Sequence, residues 1–270
     1  MKGLFRREFA YRFRGLFPFS RPGVGVGCDG SFAKLEAGLS AAAAERFTVL
    51  SADYDLSGWT RGSRLLELHE SVYFLDLYDS FVRDHVRVQD AARGFCRGLD
   101  VGSKNWAYLL ALVTAWPGAW TGVEIDAHRR YADFSTRAAV ARARAGGFAA
   151  CRYLAGSVMD LGSAGEGSAG EGRGFDVITW FLPFVCVDAL RAWGLPDRFF
   201  DPAGLLSHVA GLLASDGVLW VVNQGEKERA AQRLLFAETD LCYETLGEMV
   251  SPLSPFRARR FGWLAWNDEG

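Results

Sequence analysis

An acid, a glycine and a second acid follow two predicted strands, and their types and spacing suit the binding of a nucleoside. Residues 99–101 read as a short strand that carries Asp100, Gly102 begins the turn after it, and a second strand ends on Glu124 after an apolar helical run. In a right-handed strand-helix-strand unit, the strand ends and the helix N-terminus converge on one crevice, where ribose hydroxyls can bind such a carboxylate. These residues predict a nucleoside-cofactor site.

From about residue 94 onward the chain resembles the class I S-adenosylmethionine-dependent methyltransferases. Asp100-Val101-Gly102 is similar to the Asp/Glu-x-Gly of their first motif, in which the acid serves the methionine amino group of the cofactor. The resemblance implies that Glu124 binds the ribose and that Asp160 binds the adenine amino group, although an ordinary helix cap explains Asp160 equally well. The cofactor contacts that the resemblance implies are Asp100, Gly102, Ser103, Glu124, Ile125 and Asp160.

The glycine loop departs from the pattern of the resembled family. That family often continues Gly-x-Gly-x-Gly, whereas Gly102 is followed here by Ser103, Lys104, Asn105 and Trp106. We therefore expect a loop with a more restricted backbone than glycines would allow.

The acceptor is predicted from the ends of the fourth and fifth strands. Trp180, Phe181 and Phe184 follow the fourth strand, where the resembled enzymes place substrate contacts, and they favour a planar or apolar small molecule. Asn223 and Gln224 end the fifth strand and are further substrate candidates, with capping of the next helix as their alternative role. No residue stands out as a catalytic base, and Cys186 reads as a buried thiol.

Composition bounds the class of protein. The 270 residues, half of them hydrophobic, suffice for one large α/β domain with an appendage, and a formal charge of −2 argues against nucleic acid as the partner. Five scattered cysteines without a Cys-x-x-Cys pair, and no apolar run of transmembrane length, lead us to expect a cytoplasmic protein with reduced thiols. His69, Glu70 and His85 have no ligand spacing, so we expect no metal site.

The predicted architecture is an N-terminal helical extension, residues 1–95, and a methyltransferase domain, residues 96–270. The fold class is α/β: a Rossmann-like methyltransferase sheet, mostly parallel with an antiparallel last strand and helices on both faces. Ser31 is predicted to cap one helix that runs through residues 41–44, and a third helix, residues 63–86, carries a continuous apolar stripe. We expect this extension to cover the substrate side of the crevice.

Three further segments carry predictions, and two of them have more than one interpretation. Residues 2–17 form a basic amphipathic helix that suits docking on the protein's own core or on a second subunit, a weak membrane-surface contact, or an RNA backbone. Asp126 is predicted to cap a helix over residues 129–144 with a solvated charged face. Residues 162–174 repeat Gly-Ser-Ala-Gly-Glu and predict a flexible surface loop, or alternatively a mobile lid.

Two rival functions remain open. A nicotinamide-dependent oxidoreductase also uses a glycine-rich turn and an acid, but its Gly-x-Gly-x-x-Gly is absent, since no second glycine follows Gly102 at that spacing. A non-catalytic methyltransferase-like partner subunit is kept open by the altered glycine loop. Methyl transfer needs chiefly a positioned nucleophile and a shaped site that excludes water, so the lack of a catalytic motif does not decide against an enzyme.

Overall fold

The computed structural model describes residues 2–16, 30–60, 64–85, 95–162 and 174–267, with side chains from residue 7 onward. The helices are α1 (Lys2–Arg12), α2 (Phe32–Glu36), α3 (Ala41–Asp53), α4 (Leu65–Phe81), α5 (Leu109–Ala115), α6 (Arg137–Ala145), α7 (Val187–Ala192), α8 (Pro202–Gly211) and α9 (Gly225–Ala237). The strands are β1 (Cys96–Val101), β2 (Gly118–Glu124), β3 (Arg152–Ala155), β4 (Phe175–Phe181), β5 (Leu213–Gln224), β6 (Leu241–Glu248) and β7 (Arg260–Asn267). Short 3₁₀ turns occur at Val158–Asp160 and Asp197–Phe199.

The described strands form one seven-stranded sheet in the order β3-β2-β1-β4-β5-β7-β6. The pairs from β3 to β5 are parallel, whereas β7 is antiparallel to both of its neighbours, β5 and β6. The order reverses at β1, so β2 and β4 flank this first strand, and a crevice opens at the carboxyl ends of the three strands. The predicted Rossmann-like methyltransferase sheet with one antiparallel strand is confirmed.

Each face of the sheet has its own hydrophobic core, because side chains alternate along a strand. On β4, Val177 and Phe181 join a core with α2 to α5, whereas Ile178 and Trp180 join the core on the opposite face, beneath α8 and α9. Trp180 and Phe181 are therefore neighbours in sequence that point to opposite faces at the end of one strand.

The helical extension packs directly on the first of these faces. The predicted apolar stripe of α4, including Leu68, Val72 and Leu75, is buried in the same core as the sheet residues. Ser71 Oγ also donates a hydrogen bond to the Ala107 carbonyl, 2.7 Å away, just before α5. The described part of residues 30–85 thus shares its core with the sheet and supports the chain that follows β1. Helix α4 ends at Phe81, and residues 63 and 86 lie outside the described part.

Two predicted helices in the sequence differ in the structure. The single helix predicted from Ser31 is two helices, because Ser31 caps α2 and Ser40 caps α3, each through its hydroxyl oxygen. The helix predicted from Asp126 begins instead at residue 137, where Thr136 provides the cap. The solvated-face prediction is wrong for Arg137, which is buried and binds Asp126.

The loop predicted at residues 162–174 falls largely on residues 163–173, which lie outside the described part of the chain. Its ends do belong to the described structure: Gly162 has φ +80°, and Gly174 precedes β4. The flexible-loop and lid interpretations both stay predictions.

Candidate functional site

A cleft opens at the carboxyl ends of β1, β2 and β4. It holds about 740 Å³ of empty space, open solvent included. Its walls comprise residues 101–102, 104, 123–125, 156–158 and 180–184 from the strand ends, with Leu190, Trp193, Leu195, Phe199 and Leu205 from the helical side. The walls are mainly apolar, so the few polar groups among them determine what can bind.

Among the described residues that line the cleft, Glu124 is the only acidic one. It ends β2 with only 5% of its surface exposed, and the two loops that meet there turn their backbone towards its carboxylate. Oε2 accepts a hydrogen bond from the Lys104 amide at 2.9 Å, and Oε1 accepts one from the Asp126 amide at 2.7 Å. Each oxygen has a second acceptor position, so the carboxylate can also accept hydrogen bonds from two ligand hydroxyls.

In the loop after β1, every second residue from 102 to 106 has a left-handed backbone conformation. Gly102 has φ +74°, Lys104 +51° and Trp106 +55°, the spacing at which the resembled family carries successive glycines. The loop therefore keeps a backbone that suits glycine while two of its residues carry long side chains. Trp106 is fully buried against Gly122, where an added Cβ would lie 2.8 Å from the indole. Gly122 thus accommodates the tryptophan that replaces a loop glycine.

Ser103 and Asp100 lie behind the cleft lining. Ser103 is buried, and its hydroxyl donates to the Val123 carbonyl at 3.3 Å. Asp100 is fully buried at the end of β1, where its Oδ1 accepts hydrogen bonds from Thr179 at 2.7 Å and from Tyr108 at 3.2 Å. Burial raises the pKa of Asp100 to about 7. Its Oδ2 has no hydrogen-bond partner among the described residues, so a role towards a ligand amino group stays a prediction.

Three predicted site residues lie outside the cleft lining. Asp160 is exposed and accepts a hydrogen bond from the Ser157 amide at 3.2 Å, which is the helix-cap role given above as its alternative. Asn223 is fully buried and accepts a hydrogen bond from the Trp263 indole at 2.8 Å. Gln224 accepts one from Arg260, also at 2.8 Å. The amide side chains hold β5 to β7, because these strands are antiparallel neighbours in register at this point.

The predicted aromatic residues do come together. Trp180, Phe181 and Phe184 all line the cleft with Ile125 and Gly102. Phe181 also contacts Tyr108 from behind, with ring centroids 5.4 Å apart. Cys186, predicted as a buried thiol, is half-buried and lies outside the cleft lining, and burial raises the pKa of its thiol.

Helix α1 and the residues after it close one wall of the cleft from outside. Tyr11 donates a hydrogen bond to the carbonyl of the lining residue Ile125 at 3.2 Å, and Arg14 donates to the same oxygen at 3.3 Å. The Tyr11 ring also packs on the lining residue Phe199, with centroids 4.9 Å apart. A further ion pair joins Arg7 to Asp197 at 3.3 Å. Two of the N-terminal arginines are therefore engaged with the protein's own carboxylates and carbonyl groups.

Sequence reasoning missed several lining residues. Lys104 could have been found, because it stands at a glycine position of the motif and any side chain there must lie near the ligand. Nothing in the local sequence marks Trp193, Phe199 or the contacts of Tyr11 as part of the cleft, because these residues belong to segments far away in the sequence.

The described residues fit the cofactor that the resemblance implies. Glu124 retains acceptor capacity beside apolar walls, Gly102 has no atom within 4 Å of an added Cβ, and Asp100 Oδ2 is a buried acceptor without a partner. A nucleoside with an aminoacyl chain offers hydroxyls, a flat base and an ammonium group to these features. Over the described ranges, no cluster of three or more metal-binding side chains is found, and no helix has the length and apolarity needed to cross a membrane.

Comparisons with known proteins find similarity in structure and none in sequence. No protein-family model matches the sequence, and no curated protein does. Among solved structures, the human methyltransferase 10 domain containing protein is 16% identical with a TM-score of 0.49, and the match covers 88% of this chain and 97% of that one. Magnesium protoporphyrin IX methyltransferase from Synechocystis PCC 6803, solved with bound S-adenosylmethionine, is 14% identical with a TM-score of 0.45, covering 83% and 99%. The strand order and the single antiparallel strand are those of the class I methyltransferase fold, and this chain has that fold.

Proposed function

We propose that this protein binds S-adenosylmethionine in the cleft and transfers its methyl group to a small planar or apolar acceptor. The observation that carries the proposal is the buried Glu124 carboxylate, which ends β2 and faces the same cleft as the Gly102 turn after β1. On a sheet with this strand order, that arrangement supports a nucleoside ligand at the point where the order reverses.

The proposed contacts follow from the chemistry of the walls. Glu124 accepts hydrogen bonds from the ribose hydroxyls, while Ile125, Val158 and Leu205 offer apolar surface to the adenine. When bound, the cofactor would supply an electrophilic methyl carbon on its sulfonium: an acceptor lone pair would form the new bond to that carbon as the carbon–sulfur bond breaks in line and a neutral thioether leaves. The chain's own residues bind, orient and exclude water, which are the contributions that such a displacement needs most.

The acceptor class follows from the aromatic wall. Trp180 and Phe181 are both about 6% exposed, and each presents its remaining surface at the end of β4, where Phe184 adds a third ring. Aromatic rings of this kind favour flat, weakly polar molecules. A small planar or apolar acceptor is therefore preferred over nucleic acid.

Isothermal titration with S-adenosylmethionine, S-adenosylhomocysteine and NAD tests the proposal. We expect the first two to bind and NAD not to bind. Glu124→Ala should weaken binding by roughly 1.5 to 3 kcal/mol, because hydrogen bonds to a charged group are lost. Glu226→Ala is the matched control, since Glu226 is more than half exposed on α9 and lies outside the cleft lining.

Each other outcome contradicts a defined part of the proposal. Unchanged affinity in folded Glu124→Ala would remove the site assignment. Binding of NAD alone would indicate an oxidoreductase, and binding of none of the three would indicate a partner subunit. Transfer of a radiolabelled methyl group into small molecules of a cell extract then tests turnover.

A further inference from the structure

Lys104 has a backbone conformation that lysine rarely adopts. It stands at the second glycine position of the loop after β1 with φ +51°, a left-handed conformation that is strained for a residue with a Cβ and costs glycine almost nothing. Such outliers concentrate at functional sites. The position thus directs attention to what the side chain does.

The backbone of Lys104 is fixed on both sides. Its amide donates to Glu124 at 2.9 Å, and its carbonyl accepts a hydrogen bond from the Tyr153 hydroxyl at 2.5 Å. The Cα atom is therefore held beside the Glu124 carboxylate, and the ammonium group is the part that can move. Both Lys104 and Trp193 line the cleft, and the Lys104 Nζ lies 5.5 Å from the centre of the Trp193 ring.

Lys104 is also the only basic residue among the described residues that line the cleft. Within the described part of the chain, no carboxylate lies within the 4.0 Å ion-pair distance of its ammonium group. Burial lowers its pKa, and Glu70 opposes that shift more strongly than any other charged group; Arg137 and Arg260 lower the pKa further, while Glu124 raises it. A partly buried ammonium without a close counter-ion gains most from an anionic group of a ligand.

We propose that Lys104 binds the carboxylate of the aminoacyl part of the cofactor and thereby selects ligands that carry this group. The inference rests on the proposed function and adds a specificity-determining residue to it. Glu124 then binds the ribose hydroxyls, and Lys104 binds the carboxylate of the aminoacyl part.

The test compares two ligands that differ in this group. S-adenosylhomocysteine carries the amino acid, whereas 5′-methylthioadenosine keeps the adenosine and the thioether but lacks both the amino group and the carboxylate. We expect Lys104→Met to weaken S-adenosylhomocysteine about tenfold or more in isothermal titration, as loss of a charged hydrogen bond predicts, and to leave 5′-methylthioadenosine within about twofold.

Two further variants control the result. Lys227→Met removes a lysine whose side chain is 72% exposed and paired with Asp188, so neither ligand should respond. Lys104→Arg retains the charge and should keep more of the preference for S-adenosylhomocysteine than Lys104→Met does. Thermal unfolding of each variant shows whether the fold is retained.

Equal weakening of both ligands by Lys104→Met would overturn the inference, since the lysine would then only hold the loop. Tighter binding of S-adenosylhomocysteine by Lys104→Met or Lys104→Gly would also overturn it, since the side chain would then obstruct the site. If the wild-type protein binds both ligands equally well, this inference alone fails. If it binds neither, the proposed function fails and the role of Lys104 fails with it.

Discussion

The substitution Asp126→Asn is expected to destabilise the protein by about 3 kcal/mol, because Asp126 is the buried centre of three ion pairs. Its carboxylate is fully buried and lies 2.8 Å from Arg129 Nε, 3.0 Å from Arg137 Nη1 and 3.1 Å from Arg14 Nε. Arg14 follows α1 and Arg137 begins α6, so one carboxylate joins the N-terminal segment to the loop after β2. Asparagine keeps the shape of the side chain and removes its charge.

The magnitude follows from how little water reaches the arginines. The side chains of Arg137 and Arg129 are 5% and 10% exposed, so water cannot replace the lost charge. Breaking a buried pair by removing one partner costs roughly 3 to 5 kcal/mol, and the retained amide oxygen places this case at the lower end. Asp188→Asn is the matched control: it breaks a pair with Lys227 in which the side chains are 69% and 72% exposed, and it should change stability little because water screens both charges.

Urea unfolding of the three proteins measures the difference. We expect Asp126→Asn to shift the midpoint strongly and Asp188→Asn to shift it little. Trypsin should also cleave within residues 2–16 faster in Asp126→Asn, because Arg14 loses its carboxylate. Equal midpoints for the two variants would refute the assignment of Asp126 as the buried centre that holds these segments together.

The remaining predictions concern a buried acid, a loop and the N-terminus. Because burial raises the pKa of Asp100 to about 7 from 3.8, the native state holds a proton between those pH values that the unfolded state releases, so stability falls as pH rises through this window. Asp100→Asn should therefore stabilise the protein at about pH 8 and change little near pH 4 in urea unfolding; an effect independent of pH would contradict this. Residues 162–174 should be cleaved early in limited proteolysis and be removable with little loss of stability, whereas loss of turnover in a folded deletion variant would favour the lid. We expect no tight, salt-sensitive RNA binding by the full chain; such binding in a filter assay, lost when residues 1–21 alone are deleted, would move the acceptor from small molecules to RNA.

The position of the N-terminal segments refines the expectation that the extension covers the acceptor. Helix α1 lies on the wall formed by Ile125 and Phe199, beside the proposed nucleoside site. Helix α4 instead supports the chain after β1 through Ser71 and packs Phe74 against Tyr108 and Phe181. Removal of residues 1–95 should therefore expose a large apolar surface, and we expect the remainder to aggregate.

Local sequence patterns were enough to predict the sheet and the central motif. Apolar strand patterns, the turn at Gly102 and the strand-terminal Glu124 are local features, and the order of strands and helices then limits the topology to few choices. The cleft at the ends of β1, β2 and β4 follows from that topology, as does the convergence of Gly102, Glu124 and the aromatic residues after β4.

Which polar side chains face the cleft depends instead on contacts between segments that are far apart in the sequence. Asn223 and Gln224 end a strand as predicted, but their hydrogen bonds to Trp263 and Arg260 engage them with β7, a partner strand about 40 residues away. Asp126 reads as a helix cap from its neighbours, yet it pairs with Arg129 and Arg137 close by in sequence and with Arg14 from the distant N-terminal segment. A local pattern shows what a side chain can do, whereas its actual partner depends on which distant segments the fold brings within hydrogen-bond distance.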